Sequence, residues 1–274
     1  IELAGVTRTT PDPPGGKIIR DDSGEATGVF VDAAAGLIEQ KMPAPTRLEM
    51  LAALRAGMRR CLEAGLTGAH DAGVTAEQLD LYRELLVKGD FPFRIYAMLA
   101  DEPALIDRQL ARGPEIALGA GRLTVRALKL YMDGALGSRG AALLAPYKDD
   151  PDNTGLVQMD PARLREIARR AASSGYQVCV HAIGDRGNRL TLDGLEPAIR
   201  ASDGKDLRFR VEHAQVLAPG DIPRFASLGV IASMQPTHAT SDMYWAEDRI
   251  GSERAQGAYA WRSLLKSGAR LACG

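Results

Sequence analysis

The chemistry open to this chain is narrowed first by its histidines, of which there are four: His70, His181, His213 and His238. His181 closes the apolar run Val178-Cys179-Val180, and His213 closes Phe209-Arg210-Val211-Glu212. Both runs read as strands, and strands consecutive in sequence are commonly neighbours in a sheet. Two imidazoles converging from neighbouring strand ends make half of a zinc or related divalent site. A single histidine so placed is more often a hydrogen-bonded core group; the pairing is what points to metal. His70-Asp71 ends another strand-like run, where the pair could equally lock a loop. Gln235-Pro236-Thr237-His238 opens a polar and aromatic stretch with Asp242, Tyr244 and Trp245 nearby. That composition suits a substrate-contacting role for His238.

Lys129 stands in Val125-Arg126-Ala127-Leu128-Lys129-Leu130-Tyr131, a strand that otherwise reads as buried. A buried ammonium is costly unless it is paired, deprotonated or modified. Three readings compete: an ion pair with Asp133 or another carboxylate, a Schiff-base lysine, and a lysine carbamylated by carbon dioxide. Spacing alone ranks the ion pair first. In Asp133-Gly134-Ala135-Leu136-Gly137-Ser138-Arg139-Gly140 the glycines allow backbone to approach a ligand, with Asp133 and Arg139 as candidate substrate-binding groups and Arg139 suited to an anion. A plain tight loop explains the same glycines. Asp185 reads as a helix cap.

These groups need a scaffold that brings strand ends together. From Leu66 onward, β-rich runs begin near Leu66, Phe93, Val125, Tyr176, Phe209, Val230 and Arg270, with helical patterns between them. The alternation predicts an α/β chain with a parallel sheet, a (β/α)₈ barrel of the TIM type whose sites lie at the C-terminal strand ends. Seven candidate strands leave the barrel incomplete, with strand 1 and the end of strand 8 missing. The chain begins at Ile1 and stops inside the apolar Leu271-Ala272-Cys273-Gly274, so it reads as cut at both ends. Ahead of the barrel, Lys17-Ile18-Ile19-Arg20 and Gly28-Val29-Phe30-Val31 flank a turn, which predicts an N-terminal β-hairpin insertion. The expected division is residues 1–45 as that insertion, packing on the barrel and shaping its pocket, and 46–274 as the barrel. Thr46 to Gly65 is the clearest helix, with a Thr46/Glu49 capping box and a closing glycine.

The bulk properties exclude several classes of partner. A net charge of −1, from 34 basic and 35 acidic residues without long blocks, gives no footprint for nucleic acid or an anionic membrane. The expected partner is a small-molecule substrate, and a homo-oligomer is compatible with the sequence. Three cysteines make no disulfide framework and point to a reducing compartment, the cytoplasm.

The segments taken together resemble the amidohydrolase superfamily, within it amidohydrolase family 3, the YtcJ-like metal-dependent hydrolases. The matching strings include Gly65-Leu66-Thr67 with His70-Asp71-Ala72-Gly73, Lys129 through Arg139, Val180-His181-Ala182-Ile183-Gly184-Asp185, Val211-Glu212-His213-Ala214, and Met234-Gln235-Pro236 with His238 and Asp242. The resemblance implies one or two divalent ions, zinc first, held by a carbamylated strand-four lysine and by histidines ending strands five and six. Those positions are Lys129, His181 and His213, and the carbamate reading of Lys129 rises accordingly. The resemblance also implies a first-strand His-x-His, which is absent here, and a proton-shuttling strand-eight Asp, expected beyond Gly274. The function it implies is hydrolysis of a non-peptide carbon–nitrogen bond of amide type by a metal-activated water, with a chain this incomplete expected to be poorly active. Two alternatives stay open: a metal-free lyase using Lys129 as a Schiff base, and a silent binding or regulatory relative.

Overall fold

Gly16–Arg20 (β1) pairs antiparallel with Ala26–Asp32 (β2). The turn between them is set by Asp21, whose Oδ1 accepts from the Ser23 and Glu25 amides, and by Gly24 at φ +86°. The computed structural model describes residues 1–274 and divides into two compact units. One comprises Ile1–Pro43, Tyr131–Glu166 and Val180–Gly274; the other comprises Ala44–Leu130 and Ile167–Cys179. The hairpin therefore groups with the two later segments of the first unit.

In the second unit, strands and helices alternate as the sequence pattern requires. The helix Arg47–Glu63 is opened by the Thr46/Glu49 capping box and followed by Gly65 at φ +79°. Gly68–Val74 (β3) then leads to the helix Ala76–Val87, which carries a second capping box from Thr75 and Gln78. Arg94–Leu99 (β4) follows, and next the helix Pro103–Arg112 with proline in its first turn. Glu115–Ala117 (β5), which the sequence pattern does not announce, pairs antiparallel with Leu123–Tyr131 (β6). β3, β4 and β6 are parallel neighbours, in register Gly68↔Arg94 and Ile95↔Leu123. The buried run of β6 from Ala127 to Leu130 includes Lys129, only 4% exposed. Gln177–Ala182 (β7) begins in this unit, where Cys179 packs against Met98 and Ala127.

In the first unit, the end of β7 is followed by Arg210–His213 (β8), Ile231–Met234 (β9) and Leu271–Cys273 (β10), in the order β7-β8-β9-β10. β8 and β10 both run parallel to β9. The helices Asp185–Arg200 and Ile222–Leu228 make the crossovers, and Val211 of β8 and Ala232 and Met234 of β9 are buried. The chain is thus α/β with mostly parallel strands, as its alternating pattern predicts. No helix is long and apolar enough to cross a membrane.

Candidate metal and substrate site

The first unit brings three of the four histidines into one row. The rings of His181 and His213 lie edge to face with centroids 4.6 Å apart, and His238 stacks on His213 at 5.6 Å. Tyr131 also packs on His181, with ring centroids 5.6 Å apart. The adjacency of β7 and β8 explains the first contact. The second arises because the short helix Pro236–Asp242 starts immediately after β9, with Pro236 in its first turn, and carries His238.

Asp133 organises the loops around His181. It is fully buried, and its two oxygens accept from the backbone amides of Ile183, Gly184 and Ala142 at 2.8–2.9 Å. Oδ1 also lies 3.7 Å from His181 Nε2, which in turn is 3.3 Å from the Gly134 carbonyl. Burial pushes the Asp133 carboxyl up to about 7; the three amides pull the other way, and nearby Asp32 adds to the rise. The loops close too tightly for side chains. A Cβ on Gly187 would stand 2.2 Å from Asp133 Oδ2, and one on Gly184 1.9 Å from the Ala142 carbonyl. Asp32, at the end of β2, reaches the same loop: a Cβ on Gly134 or Gly140 would lie 2.0 Å from its Oδ2. That oxygen is buried without a hydrogen-bond partner, and desolvation raises the Asp32 carboxyl.

His213 sits on strained backbone. Its φ is +75° and that of Ala214 is +43°, left-handed values that cost about 1–3 kcal/mol each in residues other than glycine. Neighbouring bonds hold the turn in place. Val216 donates to Ile183 O, Tyr259 N to Gln215 O, and the buried Asn188 amide reaches the carbonyls of Ala182, Gly184 and Val216. His213 Nδ1 then stands 2.7 Å from Gln235 Oε1. Because that oxygen only accepts, Nδ1 is the donor, and in the neutral ring this leaves the lone pair on Nε2, the tautomer a metal ligand needs.

The other expected groups fall elsewhere. Arg139 makes a bidentate pair with Asp149, at 2.9 and 3.2 Å, and Asp149 also binds Arg249. In the second unit, Lys129 Nζ donates to the Leu130 carbonyl at 3.2 Å. His70, on β3, is exposed and stacks on Tyr96 at 4.7 Å, while Asp71 accepts from the Tyr82 hydroxyl at 2.6 Å. No group of three or more His, Cys, Asp or Glu side chains is placed to hold a metal ion. The two imidazoles fit a metal as donors, and lysine lies outside that count. Sequence reasoning gives no part to Asn188, Gln215 or Tyr259, and assigns none to Gln235; all four act through the turn after β8.

The chain is 34% identical, over its whole length, to the putative amidohydrolase YtcJ of Bacillus subtilis, and 28% identical over 99% of its length to the N-substituted formamide deformylase of Arthrobacter pascens. It spans about half the length of these curated relatives, 51% of each. A crystal structure of an uncharacterized metal-dependent hydrolase from Pyrococcus horikoshii superposes with a TM-score of 0.80 at 26% identity, covering 100% of this chain and 52% of that one. The amidohydrolase family profile matches residues 1–274, and the chain belongs to that family.

Proposed function

We propose that this chain is part of a metal-dependent hydrolase that cleaves a non-peptide carbon–nitrogen bond of amide type, with His181 and His213 as ligands of a divalent ion, zinc first. The observation that carries the reading is the imidazole pair on adjacent strand ends, with Gln235 fixing the tautomer of His213. When bound, such an ion polarises a carbonyl and lowers the pKa of water. The protein's own part is to hold the two rings. Asp133 and the Gly134 carbonyl restrain His181, and Gln235 restrains His213. The stacking of His238 on His213 supports a substrate-contacting role for His238. The amidohydrolase family and the formamide-cleaving relative support a carbon–nitrogen bond. The family's closed barrel, and the hairpin's role in shaping its pocket, belong to the same proposal.

Lys129, 4% exposed on a buried strand, is proposed as a carbamate because the chain belongs to the amidohydrolase family. Carbamylation exchanges a cation for an anionic oxygen donor.

The test is metal analysis of the full-length protein carrying this chain, followed by assay on an N-substituted formamide with and without chelator. Bound zinc or another divalent ion, and turnover lost with the chelator and restored by metal, is the expected result. A metal-free protein, or one that borohydride traps on substrate through Lys129, overturns the hydrolase reading.

A further inference from the structure

The helix Pro236–Asp242 is only seven residues long and so has little stability of its own. It is nonetheless tied at both ends to the turn that follows β8. At its start, Gln235 engages His213 Nδ1 at 2.7 Å. At its end lies Asp242, a buried carboxylate whose Oδ2 accepts from Gln215 Nε2 at 2.8 Å and from the Tyr259 hydroxyl at 2.9 Å. Its Oδ1 accepts from Ser241 Oγ at 2.7 Å. Gln215 lies two residues beyond His213, and its carbonyl receives the Tyr259 amide at 2.7 Å. Tyr259 is itself held at φ +51°.

The two ties converge on one object. Between them stands His238, stacked on His213 at an interplanar angle of 21°. A helix of about two turns bearing a site histidine, fixed only at its start, would be free to pivot about Pro236. The buried carboxylate at the far end removes that freedom, and a buried charge held by a side-chain amide and a phenol is a strong anchor.

We infer that Asp242 is a positioning residue: through Gln215 and Tyr259 it straps the helix to the β8 turn and keeps His238 against His213. Its importance to turnover rests on the reading of these histidines as site groups, whereas the placement itself can be judged without catalysis. The measurement is histidine-ring NMR of the full-length protein, with signals assigned by single His→Gln substitutions. The parent shows a ring-to-ring contact between His213 and His238. Asp242→Ala loses it and shifts the His238 signals, while those of His70 stay in place. Asp242→Asn restores the parent spectrum, because its oxygen still accepts from Gln215 and Tyr259 and its amide can donate to Ser241. If Asp242→Ala does not fold, Tyr259→Phe, which removes one hydroxyl, decides the matter: displaced His238 signals support the strap and unchanged ones overturn it.

Where the protein turns over substrate, Asp242→Ala lowers kcat by about 10- to 100-fold, as expected of a misplaced site group, with bound metal unchanged. The loss is absent when His238 is already alanine. An equal loss in that background, or Asn behaving as Ala, overturns the proposal. A parent protein with no hydrolysis at all counts against the functional reading and leaves the strap to the ring spectra.

Discussion

Two strands carry a histidine beside polar and aromatic groups, β8 at its end and β3 within its span, and they are built for different work. At β8, His213 stands on left-handed backbone, its Nδ1 is fixed by Gln235, and two other imidazoles flank its ring. At β3, His70 lies on regular strand, exposed, with Tyr96 against it, while its neighbour Asp71 is taken by Tyr82. The residue type is shared, but the supporting shell is not. A buried, over-determined turn at β8 sustains strain that an exposed strand could not, and strain kept in place by many bonds marks a site whose geometry matters.

The largest effect expected from this contrast is at His213 itself. His213→Ala in the full-length protein removes one of two paired imidazoles, and metal bound after dialysis should fall below detection by plasma emission. Retention of a full complement of metal would break the comparison outright. Next comes the support beneath the turn. Asn188→Ala leaves the carbonyls of Ala182, Gly184 and Val216 without their shared donor inside a buried turn. Urea denaturation should show a loss of about 2–3 kcal/mol, the scale of buried groups left unpaired. Gln235→Leu is milder for the fold. It should weaken metal affinity by about 10- to 100-fold, as measured by competition with a chromophoric chelator, because the tautomer of His213 is no longer set.

That ranking also shows what the sequence carries. The imidazole pair was legible because strand periodicity fixes which residue ends a strand, and parallel order makes successive ends neighbours. The strand–helix alternation and both ends of the helix Arg47–Glu63 were legible for the same reason, from period and caps. Gln215, Tyr259 and Asn188 were not, because their roles follow from left-handed backbone at His213 and Ala214, which neither residue type announces. Arg139 shows where local reading stops. Glycines beside an arginine suggest an anion site, and the partner the structure gives that guanidinium is Asp149, ten residues on. Local sequence shows which groups are available and says little about which distant partner takes them.

A smaller effect should appear at the loop beside His181. Asp32 is desolvated and its Oδ2 has no partner, so its folded pKa lies above the unfolded value of 3.8. A raised carboxyl stabilises the fold below the unfolded pKa, and that contribution is lost as pH rises through the folded one. Parent stability should therefore decline over the interval above pH 3.8 in which Asp32 ionises, whereas Asp32→Asn, which keeps the shape and contact with Gly134 and Gly140, should not show that part of the decline. Urea midpoints of both proteins across that range decide it; parallel curves would show that the Asp32 carboxyl ionises at no cost.

The smallest effect is expected at His70, and it is the sharpest check on the contrast. Position alone would rank His70 with His213, since both follow short β-rich runs. The structure separates them by what surrounds the ring: His70 is exposed and stacks on one tyrosine, a contact of about 0.5–1.5 kcal/mol at most. His70→Gln should therefore shift the urea midpoint only slightly and leave bound metal unchanged in the same emission measurement. A loss of metal matching that of His213→Ala would mean that a histidine's place on a strand outweighs the supporting shell, and the distinction between β3 and β8 would fail.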